Sequence, residues 1–301
     1  MYTQYGAKLP AICIDADHEK ITFDTANDIT PALEAFYMPY LDENVDYFGL
    51  PREHATGFFT LLKQLKTAPG KWVKGQVTGP ISMGLTITDQ DLRASLYDDL
   101  LADALIKNVA MNAIWQIRQL KTVRENVIIF VDEPYMASFG SAYISLSREQ
   151  VVTMLDEVFT AIHAEGGLAG VHCCANTDWS VLLATQVDIL NLDAYGYIEN
   201  LALYPQELRQ FLDRGGVTAW GLIPNTAEID TVTAQGLADQ LRAGIAIICE
   251  KAAARGVTIH PEEFDTRSLI TPACGLGPIT PKVADMVIPM LVETAEILRK
   301  G

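Results

Sequence analysis

The sequence predicts an α/β protein whose strands and helices form a TIM-like (β/α)8 barrel that is incomplete at its N-terminus. From residue 71 onward, short apolar runs alternate with amphipathic helical stretches, a pattern typical of a parallel sheet with helices outside it. No run is followed by a G-x-G-x-x-G or G-x-x-x-x-G-K-S/T motif, so a nucleotide-binding sheet lacks its usual support. Polar side chains instead stand at the ends of several separate runs, where a barrel places its chemistry.

Six barrel strands can be identified in this alternation. They cover residues 72–79, 126–133, 168–174, 187–193, 217–223 and 268–274. Helical segments lie between the strands. One follows the candidate N-cap Ser147 and ends at Gly166–Gly167, and the last follows Thr280 with Pro281 at its first position. We therefore expect six consecutive βα units over residues 71–301.

The first 70 residues have a different pattern. The stretch "AICIDADHEKITF" predicts a hairpin, and helices are expected around 30–41 and 51–66. We expect one domain over 1–301, with this hairpin and helical part over 1–70. A closed barrel needs eight strands, two more than the sequence shows.

The composition excludes several classes of partner. The chain of 301 residues is 49% hydrophobic and carries a formal net charge of -16. Such an acidic chain lacks the basic surface that nucleic acids require, and it would be repelled by an anionic membrane surface. No apolar segment reaches the roughly 18 to 20 residues of a membrane-spanning helix. The five cysteines are scattered and odd in number, which favours a reducing, cytoplasmic setting over a disulfide framework.

A metal site is predicted from the stretch "GVHCCANTDW". His172 and Cys174 alternate along a strand and so share a face, while Cys173 points the other way. Cys274 and Asp193 end two other predicted strands, which gives four candidate ligands from three strands. Sulfur and imidazole together favour zinc over magnesium or calcium. For His172 and Cys174 taken alone, a core histidine beside a core cysteine is an equally good explanation.

Thiol chemistry is the reaction that such a site favours. A free thiol is mostly protonated at neutral pH, and coordination to zinc removes that proton. A second thiolate ligand makes the metal a poorer Lewis acid towards water. We therefore expect the site to bind a substrate thiol rather than to activate water.

Other polar residues have two explanations each. Lys74 and Thr78 share a face of the first predicted barrel strand, which predicts polar contacts to a substrate. An ion pair between Lys74 and Asp132 is the alternative. Asn225, just after a strand, is either a residue of a substrate-facing loop or an ordinary turn residue.

Five motifs occur in an order that resembles a known family. They are "VKGQVTGP", "VDEP", the H-x-C of "HCC", "VDILNLD" and "PACGLG". Over roughly residues 70 to 300, the chain resembles the catalytic domain of cobalamin-independent methionine synthases. The wider superfamily includes uroporphyrinogen decarboxylase and the methylcobamide:coenzyme M methyltransferases. The resemblance implies a TIM-like barrel whose zinc binds a substrate thiol, to which a methyl group is transferred by direct displacement.

The resemblance also implies roles for individual residues. The zinc ligands of the family fall on His172, Cys174 and Cys274. Its fourth ligand, a glutamate, is replaced here by Asp193. The aspartate that holds the amino group of homocysteine falls on Asp132. Glu133 beside it is expected to be either a second substrate contact or a structural residue.

The expected enzyme is a methyltransferase of methionine biosynthesis, of the 5-methyltetrahydropteroyltriglutamate–homocysteine or methylcobamide–thiol type. The chain differs from the family because it shows no N-terminal folate-binding barrel, no G-S-F/L-P motif and no second strand. We therefore expect a methyl-corrinoid donor such as methylcobalamin, free or on a partner corrinoid protein. The alternatives are an enzyme like uroporphyrinogen decarboxylase, and a non-catalytic barrel that docks a corrinoid protein.

Overall fold

The computed structural model of the protein describes residues 2–15, 17–18 and 20–300. Contacts between residues divide the chain into two compact units. The first contains the residues up to Met136 and Leu146–Gly170, and the second contains Ala137–Ser145 and the residues from Val171 onward. The expectation of a single barrel domain over 1–301 stays a prediction.

All six predicted barrel strands are present, and so is the N-terminal hairpin. The predicted strand ends at Cys174, Asp193 and Cys274 are wrong, because these residues lie just beyond the last hydrogen-bonded positions of their strands. The hairpin is antiparallel, and positions 16 and 19 of its predicted turn lie outside the described residues. The strands are β1 (Ile12–Asp15), β2 (Lys20–Phe23), β3 (Trp72–Thr78), β4 (Asn126–Asp132), β5 (Leu168–Cys173), β6 (Ile189–Leu192), β7 (Val217–Ile223) and β8 (Ser268–Pro272).

The six later strands form one parallel sheet in the order β3-β4-β5-β6-β7-β8. This order follows the chain, as it does for consecutive strands of a (β/α) barrel, and is therefore consistent with an incomplete barrel. The part of the chain that the structure describes contains six strands of this sheet and not the eight of a closed barrel.

Eleven α-helices are found in the described residues, and the helix expected around 51–66 begins only at Thr56. In the first unit they are α1 (Tyr2–Gly6), α2 (Thr30–Leu41), α3 (Thr56–Leu65), α4 (Pro80–Thr86), α5 (Asp99–Lys121) and α6 (Arg148–Ala164). In the second unit they are α7 (Trp179–Leu183), α8 (Ala194–Tyr197), α9 (Pro205–Asp213), α10 (Ala234–Ala253) and α11 (Pro281–Lys300). No helix in these ranges combines the length and apolar character that crossing a membrane requires.

Local capping explains where α6 begins and ends. The Ser147 side chain accepts a hydrogen bond from the Gln150 backbone N–H, and the Gln150 side chain accepts one from the Ser147 N–H at 2.8 Å. This capping box satisfies two backbone donors that the helix leaves without partners. Gly166, with a φ of +66°, takes the left-handed conformation that ends the helix. The predicted boundaries are confirmed.

The core of the first unit lies where α5 packs against β3 and β4. Leu105 and Ile117 of α5 are fully buried there. Gln116 is buried as well, and its Nε2 donates a hydrogen bond to the Gln76 carbonyl at 2.8 Å. A buried amide costs little when it is paired in this way, so α5 is fixed to β3 by a polar contact within an apolar interface.

In the second unit, side chains join β7 firmly to β8. Trp220 of β7 is fully buried, and its Nε1 donates to Ser268 Oγ of β8 at 2.8 Å. Its ring centre lies 5.6 Å from that of Phe264. These contacts fix the start of the strand that leads to Cys274.

Candidate metal centre

His172, Cys174 and Cys274 form a group that could hold a metal ion. One ligand atom from each residue lies within 4.8 Å of the other two. His172 belongs to β5, Cys174 follows that strand directly, and Cys274 lies two residues beyond the end of β8. All three belong to the second unit. The predicted convergence of these three residues is therefore found in the structure.

The alternation of side chains along β5 places the first two ligands. Val171 and Cys173, on one face, are fully buried. His172, on the other face, retains 9% of its accessible surface, and Cys174 is partly exposed. The Cys173 thiol donates to the Ala175 carbonyl at 3.4 Å, as expected of a cysteine that fills the core. One face of β5 thus serves packing, and the other presents nitrogen and sulfur.

The two thiols of the group are hydrogen-bonded to each other, and this contact shifts their pKa values in opposite directions. The hydrogen bond from the Cys174 thiol, with a further one from His172, lowers the pKa of Cys274 against the opposing effect of burial. The same hydrogen bond to Cys274, together with burial, raises the pKa of Cys174. Cys274 is therefore the more acidic thiol of the pair, and the proton of Cys174 is held more strongly. Metal ligands must be deprotonated, so a bound cation would displace the proton of Cys174 as well.

Asp193 lies near this group but is not one of the three residues with mutually close ligand atoms. Its Oδ1 accepts a hydrogen bond from the Gly196 N–H at 2.9 Å and caps α8. Burial raises the pKa of Asp193, the charge of Cys274 raises it further, and His172 opposes this. The pKa of Asp193 thus depends on both Cys274 and His172. Its ligation of a metal stays a prediction.

Asn191 was not predicted to have a role, yet its side chain joins three strands of the second unit. Its Nδ2 donates to the Ala219 carbonyl at 2.7 Å and to Thr271 Oγ1 at 3.0 Å. It therefore connects β6, β7 and β8 within the second unit. The available sequence signal was an asparagine within an apolar strand, two residues before Asp193. An amide that is buried in such a strand requires hydrogen-bond partners.

Lys74, Thr78 and Asp132 lie in the first unit. Thr78 pairs with Asp132 in the register of β3 and β4. Lys74 Nζ donates to Gln76 Oε1 at 3.1 Å and lies 4.7 Å from the centre of the Phe130 ring. Thr78 is fully buried, and its Oγ1 has no hydrogen-bond partner within 2–15, 17–18 and 20–300. The substrate roles of these three residues stay predictions.

Glu133 has contacts that favour the structural explanation. Its carboxylate is fully buried at the start of α4 and accepts hydrogen bonds from Ile81 N at 2.9 Å, Ser82 N at 2.7 Å and Ser82 Oγ at 2.6 Å. A Cβ at Gly79 would lie 2.1 Å from Glu133 Oε1, so only glycine leaves room for this carboxylate. Glu133 thus satisfies backbone donors at the beginning of a helix.

Replacing Glu133 by glutamine should change how stability depends on pH. Burial, opposed by the hydrogen bonds from Ser82 and Ile81, raises the pKa of Glu133 from 4.5 to about 7. The stabilising contribution of the bound proton is complete below pH 4.5 and is lost as the pH rises through about 7. This loss should reach about 3 kcal/mol, since one pKa unit corresponds to about 1.4 kcal/mol.

Denaturant unfolding of the wild type and Glu133→Gln at pH 5 and pH 8 checks this prediction. The free energy of unfolding of the wild type should fall more steeply with pH than that of the variant. Equal slopes in the two proteins would contradict it.

No model of a known protein family matches the chain, and no curated protein is a significant match to it. The family resemblance of the five motifs therefore stays a prediction.

Proposed function

We propose that this protein is a zinc-dependent methyltransferase that transfers a methyl group to a small thiol, with homocysteine as the acceptor that the motif resemblance implies. The observation that carries the proposal is the convergence of one imidazole and two thiols within 4.8 Å in the second unit. This donor set is one that zinc selects, and its ligands come from separate strands rather than from a compact knuckle.

The residues of the group suit a catalytic site with an open position. Three protein ligands leave one of the four positions around a tetrahedral zinc ion for a substrate. When bound, zinc would hold the sulfur of the acceptor as a thiolate, which is the nucleophilic form of a thiol. The partial exposure of Cys174 and Cys274 gives a small thiol a route to the group.

The three residues of the group would contribute to the reaction through the acidity of the two thiols and through the placement of the imidazole ring. Cys274 is the more acidic thiol of the pair, and a bound cation would require Cys174 to give up its proton as well. His172, held within β5, would supply a ring nitrogen as a ligand. In the transfer, a bond forms between the acceptor sulfur and the methyl carbon. The bond from that carbon to its donor breaks, and the electron pair stays with the donor.

A methyl-corrinoid is the donor that we expect, either free methylcobalamin or a corrinoid carried by a partner protein. The resemblance to a superfamily that contains methylcobamide methyltransferases supports this expectation. The anchoring of the substrate amino group by Asp132 is implied by the same resemblance.

The arginines of the second unit do not favour a decarboxylase that clamps several carboxylates. Arg209 forms an ion pair with Glu263 at 2.7 Å. Arg214 and Arg267 donate to backbone carbonyl groups. Each of these guanidinium groups already serves the fold, whereas tetrapyrrole carboxylates would need arginines directed at the substrate.

The proposed activity is tested by incubating the zinc-loaded protein with methylcobalamin and homocysteine and measuring methionine. We expect turnover that is lost when a chelator removes zinc and is restored when zinc is added back. An intact protein that binds no zinc, or that forms methionine equally fast without it, would contradict the proposal. Binding of methylcobalamin without turnover would support a non-catalytic docking role instead.

A further inference from the structure

Cys274 lies farther from its strand than the other two members of the group. His172 is part of β5, and Cys174 follows it directly, so the strand fixes both of them. Cys274 instead lies on the irregular segment 273–280 between β8 and α11. A loop residue holds a metal well only when other contacts fix the loop.

Two hydrogen bonds fix this loop on either side of Cys274. The Ala273 N–H donates to the Ile223 carbonyl at 2.8 Å. Asn225 Nδ2 donates to the Gly275 carbonyl at 3.1 Å. Both partners stand at the end of β7, so the backbone before and after Cys274 is attached to the same short stretch.

Of these two hydrogen bonds, only the one from Asn225 is made by a side chain. An ordinary turn asparagine bonds to its own backbone two or three residues away. Asn225 instead reaches a carbonyl 50 residues along the chain. Turn chemistry therefore does not account for this contact, and an attachment of the Cys274 loop does.

We propose that Asn225 is a positioning residue for the metal group, in that it keeps Cys274 Sγ within reach of a point shared with His172 and Cys174. This inference rests on the proposed metal site. Side chains that orient ligands without touching the metal typically contribute about 10- to 100-fold to its affinity. Removal of the Asn225 amide should weaken zinc binding by about tenfold, at the lower end of that range, because the Ala273 hydrogen bond remains.

The test compares Asn225→Ala and Asn225→Leu with the wild type in zinc affinity, measured by competition with a chromogenic chelator. Leucine has the same branching at Cγ as asparagine but no hydrogen-bond donor, so it decides the question if the alanine variant fails to fold. Asn126→Ala is the matched control. Asn126 Nδ2 donates to the Lys71 carbonyl, also at 3.1 Å, in the first unit.

Cobalt titration gives a second measurement that a purely structural effect would not alter. The thiolate-to-cobalt charge-transfer absorption should weaken in the Asn225 variants, while the melting temperature of the metal-free protein should change no more than in Asn126→Ala. Zinc affinity equal to that of the wild type in both Asn225 variants overturns the inference. An equal loss in Asn126→Ala overturns it as well.

The same experiment separates this inference from the proposed function. Wild-type protein that binds zinc but does not methylate homocysteine would refute the proposed reaction and leave the role of Asn225 standing. Zinc binding and turnover that are the same in the Asn225 variants as in the wild type would refute the positioning role alone. Wild-type protein that binds no zinc would refute both.

Discussion

Substitution of Cys274 by serine should remove most of the metal from the protein. The group offers three candidate ligands, and Cys274 is the one whose pKa is lowered by its hydrogen bonds from Cys174 and His172. A serine hydroxyl does not ionise at neutral pH and is a poor ligand for zinc. We expect affinity to fall by at least about 100-fold, because losing a ligand should cost at least as much as losing an outer partner. Zinc content after purification without chelators, followed by a chelator competition, measures the loss.

Cys249→Ser is the control for this experiment. Cys249 lies on α10, is also partly exposed and is not a member of the group. It should keep the zinc content of the wild type, and both variants should keep the helical circular dichroism of the wild type. Retention of zinc by Cys274→Ser would show that Cys274 is not a ligand, and the methyl-transfer proposal would then lose its basis.

Substitution of Gly221 by alanine should destabilise the fold and displace the loop that carries Cys274. A Cβ at this position would lie 2.6 Å from the Leu192 carbonyl oxygen and 3.1 Å from the Ala273 Cα. Both are backbone atoms, so the clash cannot be relieved by rotating a side chain. Overpacking of this kind typically costs about 1–3 kcal/mol. Denaturant unfolding should show that loss, and zinc binding should weaken together with it.

Gly275→Ala provides the comparison, since a Cβ at Gly275 would meet no atom within 4 Å and its φ is not in the left-handed region. The free energy of unfolding should change by less than about 1 kcal/mol, and it is expected to rise because alanine restricts the unfolded chain. If Gly221→Ala is no less stable than Gly275→Ala, the close approach of Gly221 to the backbone of Leu192 and Ala273 is not what requires glycine.

Local pattern was sufficient for the presence of the six strands and for the capping of α6, although not for where every element begins and ends. The apolar runs that predicted six strands are six strands in the structure, and Ser147 caps a helix as its sequence context indicates. Alternation also placed His172 and Cys174 on one face of β5 and Cys173 on the other. Each of these properties depends on neighbouring residues, which the sequence shows directly.

The role of Glu133 could not be decided from local pattern. The motif allowed a substrate contact or a structural role, and no local property distinguished the two. The choice depends on Ser82, which lies 51 residues away and donates both its N–H and its hydroxyl to the carboxylate. Asn191 is a similar case, because its partner Thr271 lies 80 residues along the chain.

The sequence by itself determined the strands, the helix caps and which side chains of β5 share a face, because these follow from periodicity and from contacts between near neighbours. The tertiary structure decided which distant residues meet. Cys274 lies close to His172 and Cys174 only in the folded chain. In the same way, the Asn225 side chain contacts the loop of Cys274, and Asp193 caps a helix. The physical reason is that hydrogen bonds and metal ligation act over a few ångströms, so their partners are fixed only once the chain has folded.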